Sequence, residues 1–275
     1  MVSVWRLKII SMYPLVIGIS DSQYVQGLDP DAQAFLTATG ITDPTITLAI
    51  DALVVDLKNA SIWDKMQAIW PLVGGTDTTT KYNLKDPQDT NAAYRMTWQG
   101  TGWTFSSSGV KQSDSDTTYG NTHYAQNTNN NTDGMSMGIY INAGTNGYGY
   151  DFGMYDGNDV MITAGYNSNT LYGNYSGTSY ITYSGSTMPN GFFCVDNDGS
   201  TTDLYRNGVN VASGAESRSL TSSMDMYFGN RNGGGPEPTD RRYAFAFIGK
   251  SLNDTNYTDF YTVVQDFQTT LGRQV

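Results

Sequence analysis

Gly191-Phe192-Phe193-Cys194-Val195-Asp196-Asn197-Asp198-Gly199, continued by Thr202-Asp203-Leu204-Tyr205-Arg206-Asn207-Gly208-Val209, decides the fold class. Short segments of alternating apolar and polar residues are interrupted by Asp-Gly and Asn-Gly, the strongest local signals for antiparallel hairpins. Met226-Tyr227-Phe228-Gly229-Asn230 and Tyr243-Ala244-Phe245-Ala246-Phe247-Ile248-Gly249 extend the pattern. The stretch closes on Leu252 to Arg273, where Tyr257, Phe260, Tyr261, Val264, Phe267 and Leu271 line one helical face. Asn253 or Ser251 caps that helix and Gly272 stops it.

Upstream, short strands are expected at Tyr94–Trp98, Trp103–Phe105, Met135–Ile141, Tyr148–Tyr155, Val160–Ala164 and Thr178–Tyr183. Residues 106–134 read as a polar loop with one short strand at Thr122–Ala125. Regular short strands with turn signals between them mean a sandwich or barrel. Residues 29–75 have a different texture. Asp29-Pro30 and Asp43-Pro44 each place an acceptor at an N-cap and proline in the first turn. Ile46, Ala49, Ile50, Leu53, Val54 and Leu57 then repeat at helical spacing. Ser61 is positioned to cap a third helix carrying Trp63, Met66, Ile69 and Trp70, ended by Pro71. The expected organisation is an extended arm over 1–28, a helical subdomain over 29–75 and a β-sandwich with its closing helix over 76–275. Arg6 and Lys8 precede an apolar run like that of a leader peptide, but Pro14 breaks the run, which favours the arm.

Composition supports a mainly β chain. The 275 residues include 30 glycines and 20 tyrosines, and aromatic residues make up 13%, enough to bury a core despite the polar middle section. A net charge of −11 argues against a nucleic-acid partner, and Arg241-Arg242 is the sole adjacent basic pair. No segment reaches the ~20 apolar residues of a membrane span. The single cysteine, Cys194, excludes an intrachain disulfide and reads as a small buried hydrophobe.

The order of an Asp203–Val209 hairpin, a Met226–Asn230 strand and a Tyr243–Gly249 strand before a helix resembles the laminin-G or concanavalin-like jelly roll. The version found in structural proteins of bacteriophage particles is the most similar. Two blocks carry that resemblance further. Ile62-Trp63-Asp64-Lys65-Met66-Gln67-Ala68-Ile69-Trp70-Pro71-Leu72-Val73-Gly74-Gly75, followed by Lys81-Tyr82-Asn83-Leu84-Lys85-Asp86-Pro87, looks like a block of phage virion and tail-fibre proteins. Phe267-Gln268-Thr269-Thr270-Leu271-Gly272-Arg273-Gln274-Val275 is similar to their C-terminus. The resemblance implies a structural protein of the virion, with its jelly roll exposed on capsid, tail or fibre and able to contribute to host attachment. The arm and helices would assemble copies, as a trimer, with other virion proteins, through Trp63, Trp70, Phe267 and Leu271. The alternative is a glycan-binding lectin or receptor-binding adhesin.

An enzyme is not expected. Glycoside hydrolysis needs two carboxylates flanking the scissile bond. The two glutamates, Glu216 and Glu237, lie in turn-like and proline-flanked segments rather than on an alternating strand. A Ser-His-Asp relay would require His123, which sits in a polar tract with no partner evident and no G-x-S-x-G motif nearby. Phosphate-loop, dinucleotide and zinc patterns are also missing.

Glycan recognition would use stacked rings and amide hydrogen bonds. Tyr148, Tyr150, Tyr166, Tyr172, Tyr175, Tyr180 and Tyr183, interleaved with Asn167, Asn169 and Asn174, fit that inventory, with Tyr166, Tyr172, Tyr175 and Asn174 foremost. Strand alternation would instead bury half of these rings. Calcium, held in many lectin-type jelly rolls by loop oxygens, has candidates in Asp156, Asn158, Asp196 and Asp198, with Asp114, Asp116, Asp133 and Asp159 as further loop acids. Turn chemistry accounts for each singly. No other cofactor is expected.

Overall fold

The computed structural model describes residues 27–113, 117–128, 134–166, 169–175, 180–185, 188–216, 222–233, 237 and 239–275. Residues 1–26 of the arm expected over 1–28, the candidates Asp114, Asp116, Asp133 and Asn167, and the first two residues of the strand expected at Thr178–Tyr183 lie outside the described residues. Four α-helices are present among the described residues: α1 (Pro30–Thr39), α2 (Pro44–Asn59), α3 (Asp77–Thr80) and α4 (Asp254–Thr270). The strands begin with β1 (Met66–Trp70), β2 (Thr97–Gln99), β3 (Trp103–Ser106), β4 (Gly109–Gln112), β5 (Tyr119–Ala125) and β6 (Met135–Gly144). Next come β7 (Phe152–Tyr155), β8 (Asp159–Tyr166), β9 (Thr170–Asn174), β10 (Ile181–Ser184) and β11 (Gly191–Asn197). The remainder are β12 (Thr201–Arg206), β13 (Val209–Ala215), β14 (Asp225–Phe228), β15 (Arg231–Asn232) and β16 (Arg241–Gly249).

They form two sheets. One runs β13-β12-β11-β6-β16-β4-β3, with β1 added on β16; the other runs β10-β9-β8-β7-β14-β5-β2, with β15 added on β7. All pairings are antiparallel except the two-residue β15. The chain is therefore a mainly β sandwich of the expected class, with helices added.

Alternation divides the apolar residues between two cores. Ile139, Ile141, Phe193, Val195, Ala246 and Ile248 of the first sheet face Phe152, Met154, Val160, Ile162, Leu171 and Phe228 of the second. Their sequence neighbours Tyr140, Phe192, Phe245 and Phe247 point the other way, onto α1, α2 and α4 through Phe35, Leu53, Leu57, Phe260 and Phe267. The result is three layers: helices, first sheet, second sheet. α1 and α2 begin as read, since Asp29 accepts from the Asp31 N–H and Asp43 from those of Thr45 and Ile46. Asn253 caps α4.

Several expectations are corrected. The third helix is instead a 3₁₀ turn at Trp63–Lys65 followed by strand β1, which pairs with β16 at Ile69↔Phe247 and Trp70↔Ala246. Both faces of β1 are buried, Ile69 toward the helices and Trp70 toward the second sheet, so apolar residues fall on both phases and imitate helical spacing. Because β1 belongs to the sandwich, position 75 does not separate a helical subdomain from it. The polar tract 106–134 holds β4 and β5 as well as loops. Tyr94 is the left-handed end of a short 3₁₀ turn, so the strand there starts at Thr97.

The proposed assembly residues serve this interior. Trp70 is fully buried, donating from its indole N–H to Tyr94 O at 3.0 Å and meeting Phe152 edge-on. Trp63 and Phe267 are also buried, and Leu271 packs half-buried against the helical core. Layer packing occupies Trp63, Trp70 and Phe267, while Leu271 also lines an open groove with Ile46 and Val73. Arg273 closes the chain: its buried guanidinium donates to the carbonyls of Pro71, Leu72 and Ala244 and to Gln268 Oε1. Burial among these neutral groups pulls its pKa down to about 9.

Asp196 links the β11–β12 hairpin to the start of α4. Its carboxylate accepts from Ser251 Oγ at 2.6 Å, Leu252 N at 2.9 Å and Tyr257 Oη at 2.9 Å. Burial nevertheless pushes its pKa up to about 7, with the Asp203 charge adding to the effect and the three donors opposing it. The folded-state pKa lies above the unfolded value of about 3.9, so the folded chain holds a proton that the unfolded chain loses. Stability should therefore fall by up to about 4 kcal/mol between about pH 4 and pH 7 and level off above that. Urea midpoints across this range should show the slope in the parent and lose it in Asp196→Asn; a slope unchanged in the variant would refute the assignment.

Candidate functional site

The second sheet presents its other face away from the core. Along β8, Val160, Ile162 and Ala164 point inward, so Met161 and Thr163 point outward. Thr163 is in register with Tyr172 of β9, which pairs with Thr182 of β10. Met161 and Thr163 floor a small open cleft of about 60 Å³ walled by Tyr150, Tyr166, Tyr172 and Tyr180.

The rings form an edge-to-face chain. Tyr148 meets Tyr166 at 5.1 Å, Tyr166 meets Tyr172 at 5.2 Å and Tyr172 meets Tyr180 at 5.9 Å. Such contacts leave alternate ring faces open, and Tyr148 and Tyr180 are solvent-exposed. A charged frame holds the lower wall. Arg231 pairs with buried Asp159, and its guanidinium lies over Tyr150 at 4.0 Å and Tyr155 at 5.0 Å. The other Asp159 oxygen accepts from Tyr180 Oη at 2.6 Å. The Tyr150 N–H donates to Glu237 O at 2.8 Å. Burial raises the phenols of Tyr150, to about 12, and of Tyr166 and Tyr180; the Asp159 hydrogen bond adds to the effect at Tyr180. All three are neutral hydroxyls at physiological pH.

The loop that carries Tyr148 and Tyr150 is fixed from inside. Asp151, fully buried, pairs with Arg241 of β16, accepts from Tyr243 Oη at 2.6 Å and takes the Ala164 N–H at 2.7 Å. Its own carbonyl receives the Gly229 N–H at 2.7 Å. The adjacent basic pair Arg241-Arg242 thus has internal partners, Arg242 donating to Asn142 Oδ1 at 2.8 Å.

Of the four foremost glycan candidates, Tyr166 and Tyr172 line the cleft. Tyr175 and Asn174 do not: both are fully buried, and Tyr175 donates to Val195 O at 3.2 Å. Alternation turns Tyr175 into the sandwich, where the phenol satisfies a strand carbonyl. Asp159 lies 72 residues from its partner Arg231, so no local spacing signals the pair.

The calcium candidates are divided between the two sheets. Asp156 Oδ1 accepts from Asn158 N at 3.3 Å in the exposed β7–β8 turn. Asp198 takes the N–H groups of Ser200 and Thr201, each at 2.9 Å, in the β11–β12 turn. Asp196 is spent on α4, as above. Among the described residues no group of three His, Cys, Asp or Glu side chains could hold a metal ion. His123, whose sequence surroundings suggest no partner, acquires two through the fold: Nε2 lies 2.7 Å from Thr97 Oγ1, and Nδ1 lies 3.7 Å from Asp225. Burial lowers its pKa against the pull of Asp225. Glu216 accepts from Thr202 Oγ1 at 2.6 Å.

No family model matches the chain, and no curated protein matches it in sequence. Solved structures share its fold. A mutant Trypanosoma rangeli sialidase displaying trans-sialidase activity matches at TM-score 0.52 and 10% identity, over 79% of this chain and 39% of that one. Botulinum neurotoxin type C, whose cell entry depends on two ganglioside molecules, matches at TM-score 0.52 and 15% identity, over 75% and 53%. Domain 4 of a GH43 arabinanase from Geobacillus stearothermophilus, in complex with arabinotriose, matches at TM-score 0.49 and 13% identity, over 71% and 98%. The chain spans only about two fifths of the sialidase chain and half of the toxin chain. At these identities the likeness is one of fold.

Removing one partner of a buried ion pair typically costs about 3–5 kcal/mol. Arg241→Leu should therefore lower unfolding free energy by about that amount in urea titrations. Arg95→Leu, which breaks a partly exposed pair with Asp89, should change it by under about 1 kcal/mol. Equal small losses would show that the Asp151 site does not anchor the loop.

Proposed function

We propose that this chain is a carbohydrate-binding β-sandwich protein that engages one saccharide ring in the tyrosine-walled cleft on its second sheet. The observation that carries this reading is the cleft itself: open aromatic faces beside fixed polar groups, on a sheet, where a sugar ring would lie against the tyrosines. Sugar C–H faces stack on the rings, and the hydroxyl of the exposed Tyr180, whose proton is given to Asp159, offers an acceptor at the edge. Preorganisation comes from the sheet below and from Asp151 behind, so little ordering remains to be done on binding.

The sequence resemblance to phage virion proteins supports a place for this module on a phage particle, where saccharide binding would serve host attachment. That context rests on the 62–87 and 267–275 blocks. Immunogold labelling of purified particles at a fixed copy number would support it, and particles free of the protein would refute it.

A glycan array followed by calorimetric titration tests the cleft. Tyr166→Ala and Tyr172→Ala should each weaken the best ligand roughly tenfold or more, since about 1.4 kcal/mol of lost stacking is a factor of ten. Tyr119→Ala, at the stacked Tyr119–Tyr227 pair near the opposite edge of the sheet, should leave affinity unchanged. Tyr175→Ala should act through stability, broadening or lowering the thermal transition. Undiminished binding in Tyr166→Ala and Tyr172→Ala would remove the cleft from the function.

A further inference from the structure

Three rings of the cleft stand as the sides of a box. Tyr166 meets Tyr172, and Tyr172 meets Tyr180, at interplanar angles of 70° and 77°. Tyr150 stands beside Tyr166 with centroids 6.3 Å apart, and Met161 and Thr163 close the floor. The space enclosed is about 60 Å³, roughly that of two waters at about 30 Å³ each. A pyranose, broad and flat, lies across such an opening, whereas a compact, rounded group enters it.

The surroundings of the box favour a cation. The face of an aromatic ring is the negative part of its quadrupole and attracts positive charge. Arg231 already uses this attraction, its guanidinium 4.0 Å from the Tyr150 centroid and 5.0 Å from that of Tyr155. Asp159 balances its charge, and among the described residues no cation lies over Tyr166, Tyr172 or Tyr180. Tyr180 gives its phenolic proton to Asp159 at 2.6 Å. A hydrogen bond to a charged acceptor moves electron density into the ring and strengthens what its faces offer a cation. The lining also selects the kind of cation. It presents mainly ring carbon, and Thr163, its one aliphatic hydroxyl, is fully buried and donates to Gly149 O. A primary ammonium brings three N–H donors that each need an acceptor. A quaternary ammonium brings none, and its charge is spread over methyl groups that fit against rings.

We infer that the tyrosine box binds a quaternary ammonium group, presented as a choline-type substituent on a saccharide. The inference takes from the reading above only that this cleft is the recognition site, and adds a ligand group to it. The ammonium head sits among Tyr166, Tyr172 and Tyr180. The sugar that carries it lies outside, against the exposed ring of Tyr148, which meets Tyr166 at 5.1 Å. A lipid carrier fits less well, because a surface that enters a bilayer shows aliphatic side chains around its headgroup site. Among the described residues the exposed large aliphatic side chains are Leu48, Val55, Val209 and Val275, on α2, at the start of β13 and at the chain's end, and none lines the cleft.

Titration of the full chain with choline chloride and with its uncharged carbon isostere, 3,3-dimethylbutan-1-ol, separates charge from shape. Choline should bind at least tenfold tighter than the isostere, and tenfold tighter than ethanolamine. Tyr172→Phe keeps the ring and should keep that gap. Tyr172→Leu keeps apolar bulk without a π face and should narrow the gap severalfold, with melting curves of both variants compared with the parent. N-acetylglucosamine bearing a phosphocholine group should bind at least tenfold tighter than the plain sugar, and phosphatidylcholine vesicles should leave the chain in solution. Equal binding of choline and its isostere by the parent, or a gap unmoved in a folded Tyr172→Leu, overturns the ammonium site and leaves the carbohydrate reading to the plain sugars. Capture by the vesicles with no gain from phosphocholine on the sugar overturns the saccharide carrier. Choline binding with every plain sugar failing supports the ammonium site and removes the carbohydrate reading alone.

Discussion

The central strands of the first sheet, β11, β6 and β16, are buried on both faces, and most of the architecture follows from that. Phe192, Phe245 and Phe247 need a helical layer; Phe193, Ala246 and Ile248 need a second sheet. A sheet so placed reads as near-continuous apolar sequence, as in Gly191–Val195 and Tyr243–Gly249, because no position faces water. It also sets where function can lie. With the middle of one sheet enclosed, the outward side of the other is open where the tyrosines stand. β16 is central to the arrangement, hydrogen-bonded to β6, β4 and β1 while its side chains enter both cores.

A polar connection runs through this apolar interior. Arg241 leaves β16 and reaches Asp151 at the entrance to β7, where Tyr243 and the Ala164 N–H converge on the same carboxylate. Hydrophobic contacts between sheets are permissive about sliding, whereas a buried carboxylate with several directed donors is not. A single carboxylate thus fixes the sheets' mutual position and the loop bearing Tyr148 and Tyr150. The cleft inherits its shape from a contact made on the far side of the β8 backbone.

Much of the fold is legible in the sequence because its signals are local. Asp-Pro caps, the Asn-Gly hairpin at Asn207-Gly208 and the apolar stripe of α4 each lie within a few residues. The segment Trp63–Trp70 passes for a helix because two-sided burial erases the period-2 pattern that identifies a strand. Tyr166 and Tyr172 are legible as part of a tyrosine-rich cluster, but separating Tyr175 from them takes the phase of β9: Leu171 and Tyr175 share the inner face while Tyr172 lies on the outer one. Arg231 and Asp159 converge only through sheet order, and Thr97 meets His123 only because β2 pairs with β5. Such meetings carry no trace in spacing.

The same layering separates two roles in space. The helices lie on one side of the first sheet and the cleft on the outer side of the second, roughly 20 Å apart given two interlayer spacings of about 10 Å. The two sequence blocks that resemble virion proteins meet on the helical side, where Arg273 holds the carbonyls of Pro71 and Leu72. Their similarity is therefore accounted for by one internal latch joining the chain's end to the exit of β1, and says nothing of the ligand. Residues that shape the cleft are drawn from a different part of the chain, between Tyr148 and Glu237. Changes in the tyrosine wall can alter the cleft without touching the latch, because the two share no residue.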